Sequence, residues 1–249
     1  MSQVGGDTNN HKAEGILIPS SSWGEDTSLE SKHIEQKLLE IKNKIAPCKP
    51  RIIGVTKYFG LNAIINGYEA GIRDFGESRA LEAIQKIESL PSEIRENATF
   101  HFIGHLQSNK VEKVVQYFDY IHSVDSLKLA KTISDTVCRL DKRERILLQV
   151  NNACEEQKSG FSVEQLRADF SEILKLDGVR VVGLMNIAPL MAGEAELRRL
   201  FRDIRNLRDE LQERYGVEIP ELSMGMSNDY EIAVDEGATM IRIGRMLFN

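Results

Sequence analysis

The sequence is short of cysteine. It has three in 249 residues: Cys48, Cys138 and Cys154. They are odd in number, far apart, and form no C-x-x-C pair. Neither a disulfide framework nor a cysteine zinc site is expected, and a reducing compartment, the cytoplasm, fits best. Basic charge is short as well. Lys and Arg number 32 against 38 Asp and Glu, a formal net charge of -6, with no long Lys/Arg block. That excludes a broad nucleic-acid surface, which needs concentrated positive charge. It does not exclude a site for one small phosphate, which a few backbone N–H groups and one or two cations can hold. Long apolar runs are missing too, and none approaches the length of a membrane span. The apolar stretch at 15–19 is too short for a signal-peptide core and lacks a basic lead.

What is present reads as a folded chain with a polar start. Hydrophobic residues make up 41% and charged residues 28%, enough to build a substantial core. Residues 1–27 are expected to be a flexible polar tail, with a folded cap around Trp23 as the alternative. A helix is expected to start with Ser28 as N-cap and to end before Pro47, with Leu29, Ile34, Leu38, Ile41 and Ile45 as its apolar stripe. Short β-rich runs then alternate with amphipathic segments. The expected strands are 51–56, 73–76, 100–104, 120–124, 146–151, 180–185, 221–225 and 239–244. The expected helices between them are 61–70, 79–89, 109–117, 126–140, 162–176, 194–215 and 228–236. In 194–215, Leu197, Leu200, Phe201, Ile204, Leu207 and Leu211 share one face.

Strands alternating with helices point to a parallel sheet, and eight strands close a barrel. The expected fold is a single (β/α)8 TIM-type barrel over residues 28–249, with an N-terminal helix and no second domain. An open doubly wound sheet is the rival. No eighth helix is expected after the last strand, and the helix at 28–46 would fill that gap in the outer ring.

In such barrels the active site lies at the C-terminal ends of the strands. There the sequence gathers polar residues. Ile53, Val55 and Lys57 share one strand face. If that face points inward, Lys57 is poorly solvated, which favours the neutral amine that attacks aldehydes. A solvated strand-end lysine is the bland alternative. Ser223-Met224-Gly225-Met226-Ser227 precedes a helix, with Ser227 as a candidate N-cap, and its small residues let backbone amides approach an anion. Met240, Arg242 and Gly244 share a face opposite Ile241 and Ile243, so Arg242 is expected inside the barrel, either at a ligand or in an ion pair with a carboxylate such as Glu77. Barrel phosphate sites form after strands seven and eight, and strand eight closes onto strand one beside Lys57. A phosphate cradle beside a desolvated lysine is what a pyridoxal 5′-phosphate (PLP) site needs. His101, His105 and His122 read as structural histidines rather than metal ligands.

Taken together these stretches resemble a known family. Residues 30–249 are similar to the YggS/PROSC family of PLP homeostasis proteins. The resemblance rests on Val55-Thr56-Lys57, Phe75-Gly76-Glu77-Ser78-Arg79, the run from His101 to Lys110, the run from Gly183 to Leu190, the run from Leu222 to Asp229, and the run from Gly237 to Gly244. It implies a barrel like the N-terminal domain of alanine racemase, and an internal aldimine on Lys57. It implies that Arg242 faces the pyridine nitrogen, with Ser223, Ser227 and Gly244 around the phosphate. Met224 and Ser78 complete the expected cofactor-binding set, and Ser78 stands where the family usually has Asn. No catalytic or metal-ligating residue is expected.

The function implied is PLP binding in vitamin B6 and amino-acid homeostasis without turnover. The alternative is a PLP-dependent amino-acid racemase-like enzyme. That reaction needs a second proton-transfer group, which alanine racemase takes from a separate domain for which this sequence has no room. A cofactor-free Schiff-base lyase on a sugar phosphate is a third reading. Expected partners are PLP and either PLP-dependent apoenzymes or a regulatory protein, with no nucleic acid and no membrane, and the chain is expected to be a monomer.

Overall fold

The computed structural model describes residues 24–153, 155 and 159–249. Most of the expected tail and Trp23 lie outside the described residues. The first helix, α1 (Gly24–Lys44), starts four residues ahead of Ser28, so Ser28 lies within the helix rather than capping it. No proline occurs between residues 20 and 46 to block that extension. The chain then runs β1 (Arg51–Val55), α2 (Leu61–Glu69), β2 (Asp74–Glu77), α3 (Ala80–Ser89), α4 (Ser92–Asn97), β3 (Thr99–Phe102), α5 (Val111–Tyr117) and β4 (Tyr120–Val124). It continues through α6 (Leu127–Arg139), β5 (Glu144–Gln149), α7 (Val163–Ile173), β6 (Val179–Met185), α8 (Glu194–Tyr215), β7 (Glu221–Met226), α9 (Tyr230–Asp235), β8 (Met240–Ile243) and α10 (Arg245–Phe248).

Each strand pairs in parallel with the next, and β8 returns to β1, which gives a closed eight-stranded barrel. The β1–β8 seam sets Ile53 opposite Arg242 and Gly54 opposite Ile243. Closure therefore brings the two ends of the sequence pattern together, and the open-sheet alternative is excluded.

The alternation along the strands sorts two cores. Ile53, Tyr120, Leu147, Val182, Met185 and Met240 fill the barrel interior. Phe75, Phe100, Phe102, Ile121, Ile241 and Ile243 face the helices in a separate, larger cluster. α8 presents its Leu197, Leu200, Phe201, Ile204, Leu207 and Leu211 face to that layer, as its 3.6-residue period requires, and all six are buried. The hydroxyls of Ser126 and Ser162 cap α6 and α7 by accepting the amides of Leu129 and Gln165.

Two helices were not expected. α4 is six residues long and buries Ile94. α10 is a single turn after β8, so the barrel does have a short eighth helix. Even so, α1 packs beside α2 and α10. It buries Ile34, Leu38, Ile41 and Ile45, and its Lys44 reaches Glu231 of α9. One turn cannot cover the seam between β8 and β1, and α1 completes the ring there.

The β7–β8 register shifts between Ser223 and Met226. Gly225 sits in that irregularity at φ 91, where a side chain would be strained, and an added Cβ would lie 2.6 Å from the Ala233 Cβ. The bulge turns the end of β7 toward the barrel mouth.

Candidate functional site

At the C-terminal ends of the strands a cavity of about 340 Å³ opens. Lys57, Ser227, Arg242 and Gly244 line it together with Tyr58, Met226, Asn228, Asp229 and Arg245. The first four were expected from the sequence and come from both sides of the β1–β8 seam. Lys57 is only partly buried, and its Nζ lies 5.0 Å from the ring centre of the exposed Tyr58. The deep burial expected for Lys57 is not what the fold provides. β1 ends two residues earlier, at Val55, so Lys57 stands at the cavity mouth and not among the interior side chains.

Arg242 is a buried cation of this cavity. Its Nη1 donates to the carbonyl oxygen and to the hydroxyl of Ser223, both at 2.7 Å. Its Nη2 donates to the Asn186 carbonyl at 2.8 Å. The Nε–H and the second Nη2 proton have no partner among the described residues. No carboxylate lies in ion-pair contact with Arg242 among the described residues. Burial pushes its guanidinium down to about 10, and the charge of Asp229 opposes that shift. Glu77, named above as its candidate partner, sits on the other face of β2. There it accepts from the Thr56 hydroxyl and from Lys86 Nζ, both at 2.8 Å. A buried cation held only by neutral acceptors costs free energy until an anion or a strong acceptor joins it.

The loop after β7 supplies donors. Met226 N donates to Asp229 Oδ1 at 2.5 Å, which fixes the turn. Asp229, not Ser227, occupies the N-cap position of α9. Burial pushes the Asp229 carboxyl up, against the opposing pull of the Met226 amide and Arg242. With the turn held this way, the amides of Ser227 and Asn228 have no hydrogen-bond partner among the described residues. Gly244 passes close to β1, where an added Cβ would lie 3.2 Å from the Val55 carbonyl oxygen.

Three other expected residues fall elsewhere. Ser223 is fully buried beneath Arg242, so its hydroxyl holds the arginine and does not line the cavity. The Met224 side chain is packed in the helix layer, on the face that Leu222 also uses. Ser78 lines a neighbouring recess with Phe102, His105 and Leu106. Its backbone is pinned by Gly104, whose added Cβ would lie 2.2 Å from the Ser78 carbonyl. The sequence reading missed Asn186, Asn228 and Asp229. Asp229 carried a signal, an acidic residue in the first turn of the helix expected at 228–236. Asn186 acts through its carbonyl, for which residue type gives no signal.

The histidines divide. His105 is exposed and lies 3.3 Å from Asp125. His101 and His122 are buried inside the barrel and meet at 2.9 Å. No group of three or more His, Cys, Asp or Glu that could hold a metal occurs among the described residues.

Known proteins share this fold. The family model described as alanine racemase, N-terminal domain, matches residues 29–249. A pyridoxal phosphate homeostasis protein of Synechocystis is 42% identical over 202 residues, covering 81% of this chain and 92% of that one. The chain belongs to the pyridoxal phosphate homeostasis protein family. A second member, from Aquifex aeolicus, is 40% identical over 80% of this chain and 86% of its own. Among solved structures, PipY of Synechococcus elongatus determined without PLP superposes with a TM-score of 0.82 at 40% identity, covering 87% of this chain and all of that one. The PipY structure with PLP bound gives 0.78 at 38% identity. Alanine racemase of Clostridium difficile shares the fold, with a TM-score of 0.69 at 17% identity over 56% of its length.

Proposed function

We propose that the protein holds PLP in the cavity at the β1–β8 seam, anchored covalently through Lys57, as a homeostasis protein without turnover. The observation that carries this reading is Arg242: a buried cation with no contacting carboxylate among the described residues, carrying N–H groups unclaimed by them, beside Lys57 in one cavity. When bound, the cofactor supplies an aldehyde that condenses with a primary amine, together with an anionic phosphate and a ring nitrogen. Lys57 is the primary amine of the cavity. Arg242 offers its free N–H groups to an acceptor in the pocket. Ser227, the amides of Ser227 and Asn228, and the side-chain-free approach at Gly244 suit an anion. The cavity volume is within the range for small-ligand sites. Relatives bearing the homeostasis name, and the PLP-bound PipY structure, support the same reading.

Absence of turnover belongs to this reading as well. Racemisation needs proton-transfer groups on both faces of the reacting carbon. Besides Lys57, the ionisable side chains lining the cavity among the described residues are Tyr58, Asp229, Arg242 and Arg245. Tyr58 is 71% exposed, Asp229 is engaged by the Met226 amide, and arginine does not give up its proton near neutral pH. None is placed as the second base.

The reading further makes the protein a cytoplasmic monomer that passes PLP to apoenzymes or answers to a regulatory protein. No helix among the described residues is long and apolar enough to cross a membrane. Cys48 and Cys138 are free.

Absorbance of the purified protein during PLP titration tests the anchor. The expected result is a visible band lost on borohydride reduction, with the mass of one phosphopyridoxyl group on the peptide containing Lys57. A protein that stays colourless with added PLP, or an adduct mapping elsewhere, overturns it. Sustained loss of optical rotation in L-alanine overturns the non-catalytic part.

A further inference from the structure

The barrel interior contains a line of polar side chains that the cavity does not use directly. Asp74 Oδ1 lies 2.9 Å from His101 Nε2. His101 Nδ1 lies 2.9 Å from His122 Nε2, and His122 Nδ1 lies 2.9 Å from the Ser223 hydroxyl. That hydroxyl accepts from Arg242 Nη1. The line runs from β2 across β3, β4 and β7 to β8. It begins near the N-terminal mouth of the barrel, where Arg51 lies 3.3 Å from Asp74, and ends at the cavity.

The two ends independently dictate the direction of every hydrogen bond. Arg242 can only donate, so Ser223 accepts from it. Ser223 is fully buried, and its own proton has one available acceptor among the described residues, His122 Nδ1. His122 therefore carries its proton on Nε2 and donates to His101 Nδ1, and His101 in turn carries its proton on Nε2 and donates to Asp74. At the other end an ionised carboxylate can only accept, which requires the same Nε2 proton on His101. The opposite sense would set a bare imidazole nitrogen against a carboxylate and leave the Ser223 proton with no acceptor. Both rings must be neutral for this order, and burial pushes both below the usual histidine range. The groups that face them agree. His101 meets Asp74, Arg51, Asp119, His122 and the stacked Tyr120 ring. His122 meets His101, Arg242 and Arg51.

We propose that Asp74, His101, His122 and Ser223 form a proton-ordered chain that positions Arg242 and gives it a remote counter-charge. A hydroxyl that donates into a chain ending on a carboxylate is a stronger acceptor than an isolated one. The chain thus holds a buried arginine without placing a carboxylate beside it. A carboxylate in contact would occupy the N–H groups that face the cavity. His101 and His122 are positioning residues in this scheme, since neither lines the cavity.

Two measurements need no cofactor. In imidazole 15N spectra of the protein alone, both rings are expected as neutral Nε2–H tautomers from pH 6 to 8. A cationic ring, or a proton on either Nδ1, overturns the proposal. In the guanidinium spectrum, the Arg242 Nη signals are expected to be resolved and slowly exchanging, and to collapse in His122→Phe, which fills the space without bonding. Unchanged Arg242 signals in a folded His122→Phe overturn the positioning role. A third arm rests on the PLP reading: His122→Phe is expected to weaken PLP about tenfold, roughly one hydrogen bond to a charged group. Asp74→Asn, which keeps an acceptor for His101 but removes the charge, is expected to weaken it several-fold. A parent protein that binds no PLP sinks the proposed function, while the two spectra still decide for or against the proton-ordered chain.

Discussion

Two cations, the partly buried Lys86 and the buried Arg242, differ in one respect. Lys86, on α3, reaches under β1 to donate to the Thr56 carbonyl at 2.9 Å and to the Glu77 carboxylate at 2.8 Å. Its charge is cancelled by a carboxylate that is itself 1% exposed. Among the described residues Arg242 has three neutral acceptors, no contacting carboxylate and N–H groups left over. The first arrangement pairs charge with charge through Glu77 Oε1, leaves Oε2 without a partner among the described residues, and ties the end of β1 to the helix layer. The second is open and faces a cavity. A buried charge paired with its opposite marks architecture, and one without a contacting counter-charge beside a cavity marks a place where a ligand completes the structure.

The comparison breaks first at Lys86. Removing one partner of a buried pair strands the other, a loss of roughly 3–5 kcal/mol. Lys86→Met is expected to lose about that much in denaturant unfolding, and the double variant Glu77→Gln/Lys86→Met to recover most of it. A loss below about 1 kcal/mol in the single variant would mean that the two charges do not depend on each other as described. At Arg242 the loss should appear in binding and not in folding. Arg242→Leu removes an uncompensated charge, which favours the fold, and leaves two carbonyls short of a donor, which opposes it. Stability is expected to fall by no more than about 1–2 kcal/mol, while PLP affinity falls about a hundredfold, near 2.7 kcal/mol. Equal losses in both measurements would erase the distinction between the two cations.

Glu144 shows a third way to bury an ionisable group. It opens β5, is 5% exposed, and its Oε1 has no partner among the described residues. Burial first, then the nearby charge of Asp119, pushes its carboxyl up to about 8. It keeps its proton instead of finding a counter-ion. The folded pKa lies above the unfolded 4.5, so this contribution is complete below pH 4.5 and is lost as the pH rises toward 8. Glu144→Gln is expected to match the parent near pH 4.5 and to be more stable by about 2 kcal/mol at pH 8, within the 1.36 kcal/mol per unit that linkage allows. Taking the difference between variant and parent removes His101 and His122, whose lowered values weaken the fold as the pH falls below about 6.5. A constant difference across this range would show that Glu144 is ionised in the fold.

These contrasts also explain what was legible in the sequence. Alternation on β8 placed Arg242 with Met240 inside the barrel and Ile241 with Ile243 outside, and the structure agrees. The same rule, applied to β7, sends Leu222 and Met224 outward and Ser223 inward, and it was there to be used. Partner identity was not legible. Ser223 meets His122 across 101 residues of sequence, and only closure of the barrel brings them together. Glu77 carries the same alternation that placed Phe75 against the helices, yet its choice of Lys86 over Arg242 depends on where α3 lies. Lys57 was found by its neighbours at the seam, and its exposure depended on β1 stopping at Val55. α4 and α10 are too short to show a period.

The smallest expected effect concerns Ser78, and it sharpens the boundary of the open site. The family resemblance places an amide near the cofactor at this position, which argues that Ser78→Asn should tighten binding. The geometry argues otherwise. Ser78 lines the recess beside Phe102 and Leu106, apart from the cavity that holds Lys57 and Arg242. Its backbone is held against Gly104, where even a methyl group would collide. A longer side chain at Ser78 extends into the recess unless that backbone shifts. PLP affinity of Ser78→Asn is accordingly expected to stay within about threefold of the parent, under roughly 0.7 kcal/mol. A tenfold gain in the same absorbance titration would mean that the two hollows act as one site, with the asparagine amide reaching the ligand across the end of β2.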